Sequence, residues 1–303
     1  MDRPRRCRGG SGRGPGALHE TRERRARPAT DDKVLAGWNG LAIRALAEAG
    51  AALEEPRYLE AAEVCAAFVL AEMRRADGRL LRAWRDGRTS GPAYADDHAL
   101  LGIGLLALYE ASFDVRWFEE ARGLGDDLLR LFHDDATGGF FQTGSDAEEL
   151  VIRPKELFDT ALPGGSSAAA ELLLRLTLLT GEAGYERAAE GALRLVRDVA
   201  GRAATGLGTA LGAVDLYLGP SREIAIAGDA PELVREVWSR HLPNAVLAAA
   251  EPGSPAAKTI PLLEGRDLVD GRPAAYVCER FVCRRPVTDP ADLAAILERA
   301  LGT

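Results

Sequence analysis

Three stretches of this 303-residue chain, about 38 to 53, 96 to 111 and 165 to 180, are apolar nearly all round a helical wheel. The middle one shows it most clearly, with Leu100, Leu101, Ile103, Leu105, Leu106 and Leu108 pointing in every direction. A helix of that kind has no face for water and is expected to be buried. Each is followed by a second stretch, about 56 to 76, 115 to 133 and 183 to 200, with a charged stripe through residues such as Glu119, Glu120, Asp126, Asp127 and Arg130. One side of those helices meets solvent. The alternation repeats: laying Asp31–Tyr58 on Phe158–Tyr185 puts Asp32 on Asp159, Asn39 on Ser166 and Tyr58 on Tyr185. The outer stretches open alike, as "YLEAAE", "WFEEAR" and "YERAAE", and run to glycines at Gly78, Gly138 and Gly206. A period of about 60 residues built this way is an array of helical hairpins. Buried helices inside amphipathic ones describe a mainly α fold, an incomplete α/α toroid, with a plain solenoid as the alternative.

Beyond Gly208 the pattern changes. "TALGAVDLYLG" fits one more inner helix; "REIAIAG" then reads as a strand, "APELVREVWSRH" as a helix and "NAVLAAA" as a second strand. "AAYVCERFVCRRPVTD" adds another strand, and "DPADLAAILERAL" a terminal helix with Asp289 as N-cap and Pro290 in first position. The expected organisation is a disordered basic leader over 1–17, a toroid portion over 18–218, and a small α/β element over 219–303 packed on the toroid. A closed ring of six hairpins needs twelve helices and the pattern supplies eight, so the ring should be open. Its uncovered apolar flanks predict self-association or the need for an upstream toroid fragment.

The polar residues just before each inner helix share one rim of such an arc, where helix N-termini point their partial positive charge. Asp31, Asp32, Asp96, Asp97 and Asp159 sit there. Any of them can serve simply as a helix cap. Their neighbours widen the choice: Trp38 and Asn39 near Asp32, His98 beside Asp97, and Lys155 with Glu156 ahead of Asp159. Aromatics, amides and paired carboxylates at a concave rim suit sugar binding and general acid/base chemistry. On that reading Asp32, Asp96, Asp97, His98 and Asp159 are the catalytic candidates, and Trp38, Asn39, Lys155, Glu156 and Ser166 the substrate contacts. Adjacent Asp96 and Asp97 should raise at least one carboxyl pKa and keep His98 protonated to higher pH. The carbohydrate ligand is an expectation; nothing in the sequence calls for a cofactor or a metal.

Composition narrows the partners. The net charge of -8 argues against nucleic acid, although Met1–Pro28 concentrates nine arginines against three acids. That segment has no aromatic residues for stacking on bases, so a leader is the preferred reading. No apolar run reaches the roughly 18 to 20 residues of a membrane span and no secretory core precedes the body, which predicts a cytoplasmic, membrane-free protein. Four scattered cysteines, Cys7, Cys65, Cys278 and Cys283, are too few for a disulfide framework and agree with a reducing compartment. Cys278 and Cys283 have no histidine nearby to complete a zinc site and read as structural. The turn "AGDAPE" could cradle a phosphate but has no glycine fingerprint, so a structural turn is preferred.

Four ordered motifs, "DDKVLAGWNGLAIRALAEAG", "YADDHALLGIGLLALYEAS", "GGFFQTGSDAEELVIRPKELFDTALPGGSSAAAELLLRL" and "AAYVCERFVCRRPVTDPADLAAIL", resemble consecutive motifs of the spermatogenesis-associated protein 20 family, also called thioredoxin domain-containing or YyaL-like. The resemblance runs from about Leu18 to the C-terminus. It implies a toroid similar to six-hairpin glycosidases and N-acylglucosamine 2-epimerases, and a carbohydrate-processing ancestry as an epimerase, isomerase or hydrolase. The alternative is a non-catalytic scaffold or binding module. The chain departs from the family in having no thioredoxin-like domain, no C-x-x-C and neither of the glycine-rich and "HFEKMLYDNA"-like motifs that precede Asp31 in relatives. The family's Pro-Ser-Gly-Asn-Ser-like turn reads Pro163-Gly164-Gly165-Ser166-Ser167, without the amide.

Overall fold

The computed structural model describes residues 14–148 and 150–298. The chain divides into two units, Met1–Lys33 and Val34–Thr303. Of the expected leader over 1–17, the part up to Arg13 lies outside the described residues. From Gly14 the first unit forms helix α1 (Gly14–Glu23), followed by an exposed stretch without regular structure that contains Asp31 and Asp32.

The second unit opens with a short strand, β1 (Val34–Leu35), and the first hairpin, α2 (Ala36–Ala52) and α3 (Pro56–Glu72). Strands β2 (Leu81–Arg85) and β3 (Arg88–Pro92) intervene before α4 (Ala95–Ser112) and α5 (Val115–Asp127), whose last turn widens into a π-helix over Leu128–Phe132. The third hairpin is α6 (Gly165–Thr180) and α7 (Ala183–Ala203), and α8 (Gly208–Leu218) follows. Helices α2, α4, α6 and α8 pack side by side in that order, with α3 outside α2, α5 outside α4 and α7 outside α6. The arrangement is an open arc of α/α hairpins, a partial toroid.

Burial along the arc departs from the expectation at its edges. Nearly all of α4, from Ala95 to Tyr109, is buried. Helix α2 buries only Ala36, Gly37, Gly40, Ile43, Ala47 and Gly50, and α8 only Ala210, Ala213 and Leu216. Each edge helix has an inner neighbour on one side only, so an all-round apolar sequence leaves half its surface uncovered. The α2–α4 contact is close enough that a Cβ at Gly40 would lie 2.5 Å from the backbone of Leu100, and one at Gly104 would strike the carbonyl of Gly40.

The β2–β3 hairpin was not expected. Its tip is Asp86-Gly87, both with positive φ (50° and 74°), the conformation that a tight hairpin turn needs and that Asp-Gly supplies. β1 joins β2 on its other side, pairing Val34 with Trp84 and Leu35 with Ala83.

After α8 come β4 (Arg222–Ala227), α9 (Pro231–Trp238), β5 (Ala245–Ala250), a short helix α10 (Pro255–Thr259), β6 (Ala274–Glu279), β7 (Val282–Cys283) and α11 (Pro290–Glu298). The sheet order is β5-β4-β6-β7, with β4 and β5 parallel and the others antiparallel. Alternate side chains serve two cores: Ala225, Val246 and Ala248 join the core of the arc, while Ile224, Ile226 and Leu247 pack with Leu233 of α9 and Leu293 of α11. Asp289 caps α11 through a 2.8 Å bond from the Ala291 N–H, with Pro290 in first position. Cys278 and Cys283 face each other across β6 and β7 and are joined by a disulfide. The reduced state expected for this pair is thus corrected: the turn over Glu279–Val282 folds them opposite each other. At the "AGDAPE" turn the Asp229 N–H donates to Glu251 Oε1 at 3.0 Å, so a carboxylate of the protein occupies it. No described helix is long and apolar enough to cross a membrane.

Candidate functional site

Three inner helices begin at one place on the rim. Asp97, in the first turn of α4, accepts from the Gly37 N–H at the start of α2 through Oδ1 (3.1 Å). Its Oδ2 accepts from the Tyr94 N–H (3.0 Å) and from Arg82 Nη1 (2.7 Å). Two of these donors are N-terminal amides that a helix cannot satisfy internally. Gly165, the first residue of α6, fits against the same turn, since a Cβ there would lie 3.3 Å from the Asp96 amide nitrogen. Arg82 reaches in from β2, stacked 4.4 Å over the Tyr94 ring, and also approaches Asp96 Oδ1 at 3.5 Å. Burial, and then the neighbouring Asp96 charge, push the Asp97 carboxyl up to about 6 against the opposing pull of Arg82. Glu156, half-buried, is raised by its own burial and by Asp96, with Arg82 again opposing.

His98 is a correction. The ring is fully buried, its Nδ1 pairs with the Tyr94 carbonyl at 2.8 Å and its Nε2 with Arg79 Nη1 at 2.8 Å. A carbonyl can only accept and a guanidinium only donate, so Nδ1 carries the proton and Nε2 accepts: the imidazole is neutral. Burial lowers its pKa to about 4, and the Arg79 charge adds to that; it is not held protonated to higher pH. Arg79, itself 5% exposed, is anchored by Asp146 (2.9 Å) and the Ala93 carbonyl (3.2 Å).

The remaining candidates divide by what they already hold. Asp159 accepts from the Gly164 N–H (2.8 Å) before α6 and from the Thr209 N–H (2.7 Å) in the first turn of α8, which fixes two helix starts. Asn39 donates to the Leu35 carbonyl and accepts from the Cys65 thiol, toward the outer layer. Lys155 is enclosed by Asp134 (2.6 Å), Thr137 (2.6 Å) and the Gly138 carbonyl (2.5 Å). The Ser166 hydroxyl donates to the Phe140 carbonyl and accepts from the Phe140 N–H. Trp38 stands 56% exposed, one residue from Gly37. Asp32 belongs to the N-terminal unit and is exposed there. The groups that keep exposure at the rim of the second unit are therefore Glu156, Arg82 and Trp38, with buried Asp96 behind them against Arg82.

Two sets of residues escaped the sequence reading. Arg79 and Arg82 come from the unforeseen β2 region; the Asp-Gly pair flanked by strand-like residues was the available signal. The second set lies deeper on the concave face, in a cleft of about 390 Å³ lined by Arg44, Glu171 and Arg175 among apolar residues of α2, α4, α6 and α8. Their signal was a pair of opposite charges four residues apart in an otherwise apolar inner helix, Arg44 with Glu48 and Glu171 with Arg175. Among the described residues no group of three or more His, Cys, Asp or Glu side chains is placed to hold a metal ion.

No protein-family model matches the chain. It is 33% identical over 297 residues to human spermatogenesis-associated protein 20, covering 92% of this chain and 38% of that protein. The rat protein of the same name is 31% identical over 299 residues, covering 93% of this chain and 38% of the relative. An uncharacterized protein of Caenorhabditis elegans is 29% identical over 287 residues, covering 89% of this chain and 38% of its own length. The chain thus spans well under half the length of the curated relatives it matches. Among solved structures, cellobiose 2-epimerase from Spirochaeta thermophila superposes with a TM-score of 0.46 at 19% identity, over 55% of this chain and 43% of that one. A GH76 α-mannanase from Bacteroides thetaiotaomicron gives 0.45 at 18%, over 55% and 46%.

Proposed function

Since this chain is a relative of the spermatogenesis-associated protein 20 family over 38% of that protein's length, we propose that the rim binds a carbohydrate and serves an epimerase, isomerase or hydrolase type of reaction. The observation that carries the reading is the grouping of Asp96, Glu156 and Arg82 at a partly open rim. Burial and Asp96 raise the Glu156 carboxyl against the opposing charge of Arg82, and Arg82 approaches Asp96 Oδ1 at 3.5 Å. Two neighbouring carboxyl groups are the minimum for proton transfer to and from a sugar oxygen or carbon. Trp38 supplies an exposed flat ring for stacking against a sugar face. The proposed setting is cytoplasmic.

A second reading, a binding module without turnover, draws on the number of polar groups already committed to structure. Asp97, His98, Asp159, Asn39, Lys155 and Ser166 all hold backbone or neighbouring side chains. A glycan array followed by calorimetry separates the two. The catalytic reading expects a sugar ligand whose affinity falls at least tenfold in Trp38→Ala, and turnover that is lost in Glu156→Gln while binding persists. Binding without turnover in the native chain selects the module; no sugar ligand at all overturns both.

A further inference from the structure

A cavity of about 270 Å³ lies where the concave face of the arc meets the α/β element, and it shares Arg44, Arg175 and Pro243 with the larger cleft. It is well removed from the rim: Glu110, on its wall, is 14 residues beyond Asp96 in the same helix, about 21 Å at 1.5 Å per residue. Exposed His241 stands among the lining residues.

Each cation lining this cavity has an acid partner. Arg44 is held by Glu48 (2.8 Å) and Glu171 (3.0 Å). Arg175 is held by Glu171 (3.2 Å) and by the carbonyls of Ala245 and Pro243. Arg240 pairs with Glu236 and with Glu298. Glu110 lines the cavity with no hydrogen bond or ion pair to its carboxyl among the described residues. The rest of the wall is apolar or aromatic, including Trp238 and Leu242.

We propose that this cavity is a binding site for a small organic cation, a primary ammonium on an apolar body, with Glu110 as its anchor. An ammonium offers N–H donors and a positive charge to a site where carboxylates outnumber guanidiniums, and its alkyl portion fits against Trp238 and Leu242. An anion would meet Glu110 unfavourably, and a neutral ligand would leave the ionised carboxylate uncompensated. Burial pushes the empty Glu110 up to about 7, with Glu48 adding to the shift and Arg175 and Arg44 opposing it. Only ionised Glu110 accepts the cation. Affinity must therefore fall as pH drops below 7, by about tenfold between pH 8 and pH 6 for a carboxyl of that pKa.

The experiment titrates the purified chain with n-pentylammonium, n-pentanol and pentanoate by calorimetry at pH 8 and pH 6. The account expects pentylammonium to bind at least tenfold more tightly than the other two at pH 8, and to lose about tenfold at pH 6. Glu110→Gln should abolish the preference, and His241→Gln should leave the pH dependence in place. Should Glu110→Gln fold poorly, carbon-13 NMR of the native chain gives an independent readout: pentylammonium should lower the Glu110 titration midpoint by one unit or more. Equal binding of pentanol, binding that does not change with pH, or an unmoved Glu110 midpoint overturns the proposal.

Discussion

Asp97 accepts from three donors and its carboxyl is still pushed up to about 6, because taking its charge out of water costs more than those contacts return. Glu110, with no donor among the described residues, is raised further, to about 7. Both carboxyls have a higher pKa folded than unfolded. Their protonated forms therefore favour the fold, and that contribution is complete below about pH 4 and lost as pH rises through 6 for Asp97 and 7 for Glu110. Buried neutral His98, lowered to about 4, acts the other way, because its unfolded form takes up a proton below about 6.5. The two carboxyls together outweigh it, and the chain should be more stable near pH 5 than at pH 8 by an amount on the order of 1–2 kcal/mol. Glu110→Gln should raise the pH 8 melting temperature and flatten the upper part of the curve; a stability that climbs from pH 5 to pH 8 would contradict this. The adjacency of Asp96, Asp97 and His98 made a perturbed carboxyl legible in the sequence. The state of His98 was not, because the sign is set by complete burial and by Arg79, which folds against it from a separate segment.

At the scale of elements, the hairpin pattern was open to reading because helical periodicity is local. The inner helices begin and end within a few residues of the expected bounds, as at α6, Gly165–Thr180. What periodicity could not supply was the β2–β3 insertion, whose first strand pairs with β1 across some fifty residues, or the significance of glycines inside helices. Gly104 lies against the backbone of Gly40, whereas Gly123 in α5 has nothing within 4 Å of where a Cβ would stand. Gly104→Ala must push two helices apart and should cost about 3 kcal/mol. Gly123→Ala relieves only a poor helix former at an exposed site and should add about 0.5–1 kcal/mol. Denaturant unfolding of the two variants checks the contrast, and equal effects would mean that α2 and α4 do not approach as closely as described.

At the scale of the whole molecule, the open arc follows from counting apolar helices, and the half-buried edge helices α2 and α8 are its physical result. Large apolar side chains stand exposed at both, Leu53 just beyond α2 at 65% and Leu218 of α8 at 74%. We propose that these edges meet a second copy of the chain or an upstream toroid segment; sedimentation over a concentration series should then show self-association, and a strictly monomeric species would contradict it. The rim itself was located from helix starts alone, yet most residues placed there are engaged in holding those starts together. The central claim is that Glu156, Arg82 and Trp38, backed by buried Asp96, meet a carbohydrate. Its most direct test is an NMR titration of the isotope-labelled chain with a sugar that binds in calorimetry. The account predicts shifts at the Trp38 indole N–H and the Asp96 and Glu156 carboxyls, with Lys155 and Asp159 unmoved. Shifts confined to the concave cleft, with Trp38 and Glu156 silent, would contradict it.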